Sequence, residues 1–181
     1  MAKQFQQLEE DHIRFISEQH MFFTGSAGPE GRVNVSPKGM DSLRVLGPNR
    51  ILWLNLTGSG NETAGHLAET PRITLMWCSF TTRPLILRAY GTARGVWRDT
   101  EGWDDLAANF PPHRGARQIY DVVVDLVQTS CGYAVPFMDF RAPRDTLEHW
   151  AEQKSEDDLR AYWAEKNAVT LDGKPTGLPP S

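Results

Sequence analysis

Arg32-Val33-Asn34-Val35-Ser36-Pro37-Lys38-Gly39 and Leu54-Asn55-Leu56-Thr57-Gly58-Ser59-Gly60-Asn61-Glu62-Thr63, the latter running into Ala64-Gly65-His66-Leu67, decide how this chain reads. Each is a strand-like run that ends in a polar turn of small residues. Such turns offer backbone N–H groups, hydroxyls and, in the first, a lysine at the end of a strand, which is the arrangement that holds an anion. Gly58-Ser59-Gly60 fits neither G-x-G-x-x-G nor the Gly-Lys-Ser/Thr ending of a Walker loop.

The flanking segments read as hairpins. Met21 to Ala27 is an aromatic-rich strand, and Gly28-Pro29-Glu30-Gly31 turns it into Arg32 to Ser36. Leu43 to Leu46 and Arg50 to Leu56 flank Gly47-Pro48-Asn49 in the same way. Ile73 to Phe80 is an apolar strand, Leu85 to Trp97 a long one with bulges or bends expected at Gly91 and Gly95, and Val122 to Thr129 the last clear strand. Helices are expected at Leu8–Gln19, with Leu8, His12, Phe15 and Ile16 on one face, at Asn61–Ala68 with Asn61 as N-cap, and at Asp99–Phe110. Arg144 to Asn167 predicts two more, divided near Lys154-Ser155, where Ser155 and Asp158 form a capping signal. The tail from Leu171 to Ser181, rich in Gly and Pro, reads as an extended arm or a disordered end. Strands grouped in hairpins without alternating βαβ units argue against a doubly wound sheet and imply a mainly β protein, a small antiparallel barrel with peripheral helices.

Bulk properties narrow the function classes. With 181 residues, 40% apolar and 23% charged, the chain has the composition of a globular domain. A net charge of −4 without a basic stripe argues against nucleic-acid binding. The N-terminus lacks an apolar signal segment, and no run approaches the ~20 apolar residues of a membrane span, so a cytoplasmic protein without a membrane partner is expected. Cys78 and Cys131 lack metal-ligand spacing and read as buried small hydrophobes of a reducing compartment rather than as a disulfide. His66 reads as a surface or capping residue, and His113 and His149 have no partner at ligand spacing, so no metal site is expected. Six Trp suit a large core, an interface or a planar ligand; Trp53 and Trp77 read first as core, with a flavin-flanking role as the alternative. Trp150, Tyr162 and Trp163 read as docking residues of the terminal helices.

The order of these features carries a family. A strand, a Ser36-Pro37-Lys38-Gly39 turn, a hairpin, then Leu56-Thr57-Gly58-Ser59-Gly60-Asn61-Glu62-Thr63, a short helix and Thr70-Pro71-Arg72-Ile73-Thr74-Leu75 resemble the pyridoxamine 5'-phosphate oxidase-like FMN-binding split-barrel proteins over roughly residues 8 to 140. Cys131-Gly132-Tyr133-Ala134-Val135-Pro136 looks like a feature of an uncharacterised branch of that family. The resemblance implies a homodimer of antiparallel split barrels with FMN in the clefts between subunits. The barrel domain would span residues 1–140, with 141–181 as its helical extension and tail. It further implies cofactor contacts from Ser36, Pro37 and Lys38 on one side and Thr57, Asn61, Glu62 and Thr63 on the other, with Arg88 as the polar candidate on the long strand.

Departures from the family pattern shape the functional expectation. The oxidase carries Ser-Arg-Lys where this chain has Asn61-Glu62-Thr63, and a carboxylate there repels phosphate unless it caps a helix or faces away. The Arg-x-His motif for the vitamin substrate is absent, so pyridoxamine phosphate oxidation itself is not implied. The resemblance implies instead a flavin-dependent oxidoreductase acting on an unidentified small molecule, with a small-molecule substrate or electron donor as partner. The alternatives are a non-catalytic flavin, deazaflavin or haem binder, including a stress-related sensor, and a dimerisation domain without ligand.

Overall fold

A computed structural model describes residues 2–180. Eight strands build one antiparallel sheet: β1 (Lys3–Phe5), β2 (Phe22–Ser26), β3 (Asn34–Lys38), β4 (Leu43–Gly47), β5 (Arg50–Leu56), β6 (Arg72–Cys78), β7 (Leu85–Trp97) and β8 (Ala116–Cys131). Five helices accompany them: α1 (Glu10–Ser17), α2 (Glu62–Glu69), α3 (Trp103–Ala107), α4 (Thr146–Glu152) and α5 (Glu156–Lys166). The strand order is β3-β2-β6-β7-β8-β5-β4, with β1 added to β8.

The strands that follow one another in the chain, β3 and β4, therefore stand at opposite edges of the sheet. The sheet curls so that these edges approach without pairing. Lys38 of β3 sits over the Trp53 ring of β5 at 5.2 Å, and Phe22 of β2 meets Trp53 edge-on at 6.3 Å. This is the seam of a split barrel, and the expected fold class is the one observed.

The barrel interior is packed with Phe22, Trp53, Leu75, Trp77, Leu87, Tyr120, Val122 and Val127, and α1 supplies Phe15 and Ile16. The helix face expected from sequence, Leu8, His12, Phe15 and Ile16, is buried throughout. A second core lies on the other face of β5 and β8, where Leu52, Leu54 and Ile119 pack with Leu106 and Phe110 from the α3 region. Five consecutive residues of β5 are buried because both faces of the strand are covered. Trp53 stacks on Tyr120 at 4.7 Å, a pairing worth about 1 kcal/mol beyond its buried area.

Both predicted hairpins form, β2 with β3 and β4 with β5. The β7–β8 register shifts between Tyr90 and Gly91. A Cβ at Gly91 would lie 1.9 Å from the Val123 carbonyl oxygen, so only glycine fits this bulge. Gly95 is not a bulge; the register runs on, and the Tyr120 ring packs against it.

Several expected boundaries shift for local reasons. The helix expected from Asp99 forms only at Trp103–Ala107, because Asp99 (φ 63°) and Gly102 (φ 82°) adopt left-handed conformations that break a helix. β8 begins at Ala116, six residues before Val122, because pairing with β5 extends it through the polar but buried Arg117 and Gln118. The division between α4 and α5 falls where the capping signal placed it: Asp158 N–H donates to Ser155 Oγ at 3.1 Å, and Ser155 N–H donates to Asp158 Oδ2 at 3.0 Å. The tail is no loose arm over its described part. Leu171 N–H donates to the Glu62 carboxylate, Lys174 pairs with Glu69 at 2.7 Å, and Thr176 is buried; Ser181 lies outside the described residues. Neither cysteine is a core residue. Cys78 is half-buried, Cys131 is exposed, and both are free. Among the described residues no helix is long and apolar enough to cross a membrane.

Candidate functional site

The two polar turns meet at the seam. Ser36, Pro37 and Lys38 from the end of β3 face Asn61, Glu62 and Thr63 at the start of α2 across a cleft of about 360 Å³. The Gly58-Ser59-Gly60 loop forms its rim, and Asn34, Trp53, Asn55 and Arg117 complete its wall.

Two cations dominate this cleft. The Lys38 amine is pushed down to about 8, first by burial and then by the Arg117 guanidinium. Arg117 is 2% exposed, and burial lowers it to about 10. Its hydrogen bonds go to neutral oxygens, the Gly60 carbonyl at 3.3 Å and Asn167 Oδ1. Among the described residues neither Lys38 nor Arg117 forms an ion pair. Two like charges held together without a counter-ion are unfavourable unless an anion joins them.

Further donors are left free at the same place. Arg117 Nε and Asn61 Nδ2 are buried without a hydrogen-bond partner, a situation that is rare and costs about 1–3 kcal/mol per group. Asn61 occupies the N-cap position of α2, yet its side chain makes no capping bond, contrary to the expected cap. The start of α2, the positive end of its helix dipole, lines the cleft through Asn61, Glu62 and Thr63.

Glu62 does not spoil this field. Both of its carboxylate oxygens take the Leu171 N–H, at 3.1 and 3.0 Å, which turns the charge towards the tail. Thr63 Oγ1 accepts from Ser26 Oγ at 3.3 Å, and Ser26 Oγ also lies 3.1 Å from His66 Nδ1. His66 is therefore a buried member of the wall behind the cleft rather than a surface residue, because α2 packs that face on β2.

Two of the sequence-derived site residues lie elsewhere. Thr57 is buried behind the loop, where its hydroxyl donates to the Gly115 carbonyl at 2.8 Å and accepts from Trp163 Nε1 at 2.9 Å. Arg88 donates to Ser130 Oγ at 3.1 Å and pairs in register with Gln128. That position is about ten residues along β8 from Gln118, on the order of 30 Å of strand.

Arg117 and Asn55 are cleft residues outside the sequence-derived site set, while Trp53, read first as core with a flavin-flanking role as the alternative, is buried and also lines the cleft. On β5, Asn55 pairs with Gln118 but Leu56 pairs with Ala116, so Arg117 is the extra residue of a β-bulge. Ala116 and Ile119 face the second core, and the bulge re-aims the arginine away from it into the cleft. Simple alternation along β8 places Arg117 on the opposite face. The local signal was a charged residue and an amide directly before the apolar pair Ile119-Tyr120. Among the described residues no group of three or more His, Cys, Asp or Glu is placed to hold a metal.

A seamed antiparallel barrel with a cationic cleft at the end of β3 and the start of a short helix defines a split-barrel protein. The sequence profile of the pyridoxamine 5'-phosphate oxidase family matches residues 8–131, and the chain belongs to that family. It is 33% identical over 189 aligned positions to the pyridoxamine 5'-phosphate oxidase family protein ustO of Aspergillus flavus, covering 91% of this chain and 74% of that one. Among solved structures, a Lactobacillus delbrueckii protein assigned to pyridoxamine 5'-phosphate oxidase superposes with a TM-score of 0.55 at 17% identity, covering 68% of this chain and 94% of the other. A tagged variant of HupZ from Group A Streptococcus gives 0.54 at 16% identity over 67% and 98%. At these identities the structural likeness is one of fold.

Proposed function

We propose that this chain is an FMN-binding split-barrel protein that works as a homodimer and acts as a flavin-dependent oxidoreductase on a small molecule. The observation that carries the reading is the pair Lys38 and Arg117, two desolvated cations without a carboxylate, beside the orphaned Arg117 Nε and Asn61 Nδ2. This donor set fits a phosphate monoester, a dianion with several acceptor oxygens near neutral pH. Lys38 and Arg117 neutralise its charge, Asn61 Nδ2 and the α2 N–H groups donate to it, and Ser36 and Thr63 lie close enough to share the remaining hydrogen bonds. When bound, the flavin supplies the two-electron chemistry, and the chain's task is to hold and orient it.

The test is the visible spectrum of the purified protein and the quenching of flavin fluorescence on titration with FMN, with inorganic phosphate as competitor. A colourless protein that leaves FMN fluorescence unchanged would sink the reading. The lack of an Arg-x-His motif favours a second reading, a flavin, deazaflavin or haem carrier without turnover. Bound FMN that neither NADH nor NADPH reduces would move the assignment there.

A further inference from the structure

The cleft is held from behind by residues beyond 8–131, the part of the chain that the family profile matches. Trp163 of α5 donates to Thr57 at the base of the glycine loop. Asn167, just past α5, is 0% exposed and uses both ends of its amide. Its Oδ1 accepts from the Arg117 guanidinium, and its Nδ2 donates to the Gly58 carbonyl at 3.1 Å. Thr176 Oγ1 donates to the Asn167 carbonyl at 2.7 Å and fixes the backbone there.

The following tail ties both walls of the cleft together. Asp172 accepts from Arg32, just before β3, while Leu171 and Lys174 are fastened to Glu62 and Glu69 of α2. The approach to α2 is close: a Cβ on Gly65 would lie 2.2 Å from the Thr170 methyl.

The chemistry of residue 167 matters because Arg117 has no acidic partner among the described residues. A carboxylate would orient the guanidinium equally well but would also neutralise it. An amide orients it and leaves its charge for a ligand. We propose that Asn167 is a positioning residue of the cleft: it holds the Arg117 guanidinium against the 58–60 loop without neutralising it, and so sets how tightly a phosphate monoester is bound. The inference rests on the reading of the cleft as a phosphate site.

Asn167→Asp and Asn167→Ala, compared with the unmodified protein for FMN and for riboflavin, which lacks the phosphate, provide the test. Fluorescence quenching gives the affinities, and thermal melts are recorded alongside. Asn167→Asp, close to isosteric, is expected to weaken FMN about tenfold or more while leaving riboflavin unchanged, so the preference for FMN collapses. Asn167→Ala moves the preference the same way. If the unmodified protein shows no preference for FMN over riboflavin, the phosphate-site reading fails and the inference with it. If that preference exists and both variants keep it, the positioning role alone is overturned. A parallel loss of both flavins with a lowered melting temperature also overturns it, since that is the signature of a purely structural residue.

Discussion

Replacing Lys38 with methionine removes an amine from a position where the folded protein disfavours its charge. In the unfolded chain this lysine titrates at its ordinary 10.5, and in the folded state at about 8. Below pH 8 both states are protonated and the full cost is present. Between pH 8 and 10.5 the folded protein has released a proton that the unfolded chain keeps, so stability rises with pH across that window. The difference corresponds to about 3 kcal/mol at ~1.4 kcal/mol per pH unit. Lys38 is only half-buried, and screening by solvent reduces the expected effect to about 1–2 kcal/mol. Lys38→Met is therefore expected to be the more stable protein at pH 7, by that amount in urea unfolding, with the advantage shrinking by pH 9.5. The same variant is expected to lose at least tenfold in FMN affinity. In the unmodified protein a dianion in the cleft would favour the protonated lysine, so FMN affinity is expected to fall as pH rises above 8. A variant that is less stable than the parent at pH 7, or whose stability difference is the same at pH 7 and 9.5, would refute the picture of a strained, unpaired cation.

Arg117→Met is expected to abolish FMN binding and, by removing the repelling charge, to move the pH at which Lys38 titrates upwards; the pH dependence of unfolding would read both the loss of slope near pH 8 and its new position. Gly91→Ala is expected to cost about 3 kcal/mol or more in urea unfolding, because the new methyl meets the backbone of Val123 rather than a movable side chain. Trp163→Phe deletes the indole N–H donor to Thr57 and is expected to cost about 1 kcal/mol in thermal unfolding.

The hairpins, the α1 face and the Ser155 capping box were readable because each is encoded within a few neighbouring residues: turn formers between apolar runs, a helical period, a cap three residues ahead of its partner. Arg117 was not readable. Hydropathy places Arg117-Gln118 outside a strand, yet both are buried on β8, and only the bulge against β5 decides which way the arginine points. The position of Asn167 was equally hidden, since its partners Gly58 and Arg117 are 109 and 50 residues away in the chain.

By itself the amino-acid sequence determined the antiparallel barrel, its two polar turns and the lysine on one of them, since local propensity and the alternation of strands leave few other ways to bury these apolar runs. Tertiary structure decided the rest. It brought the turns together across an unpaired seam, set a second buried cation beside Lys38, and turned Glu62 towards the tail. A cleft is a relation among residues distant along the chain, fixed by strand register and by the cost of leaving charge and N–H groups unpaired.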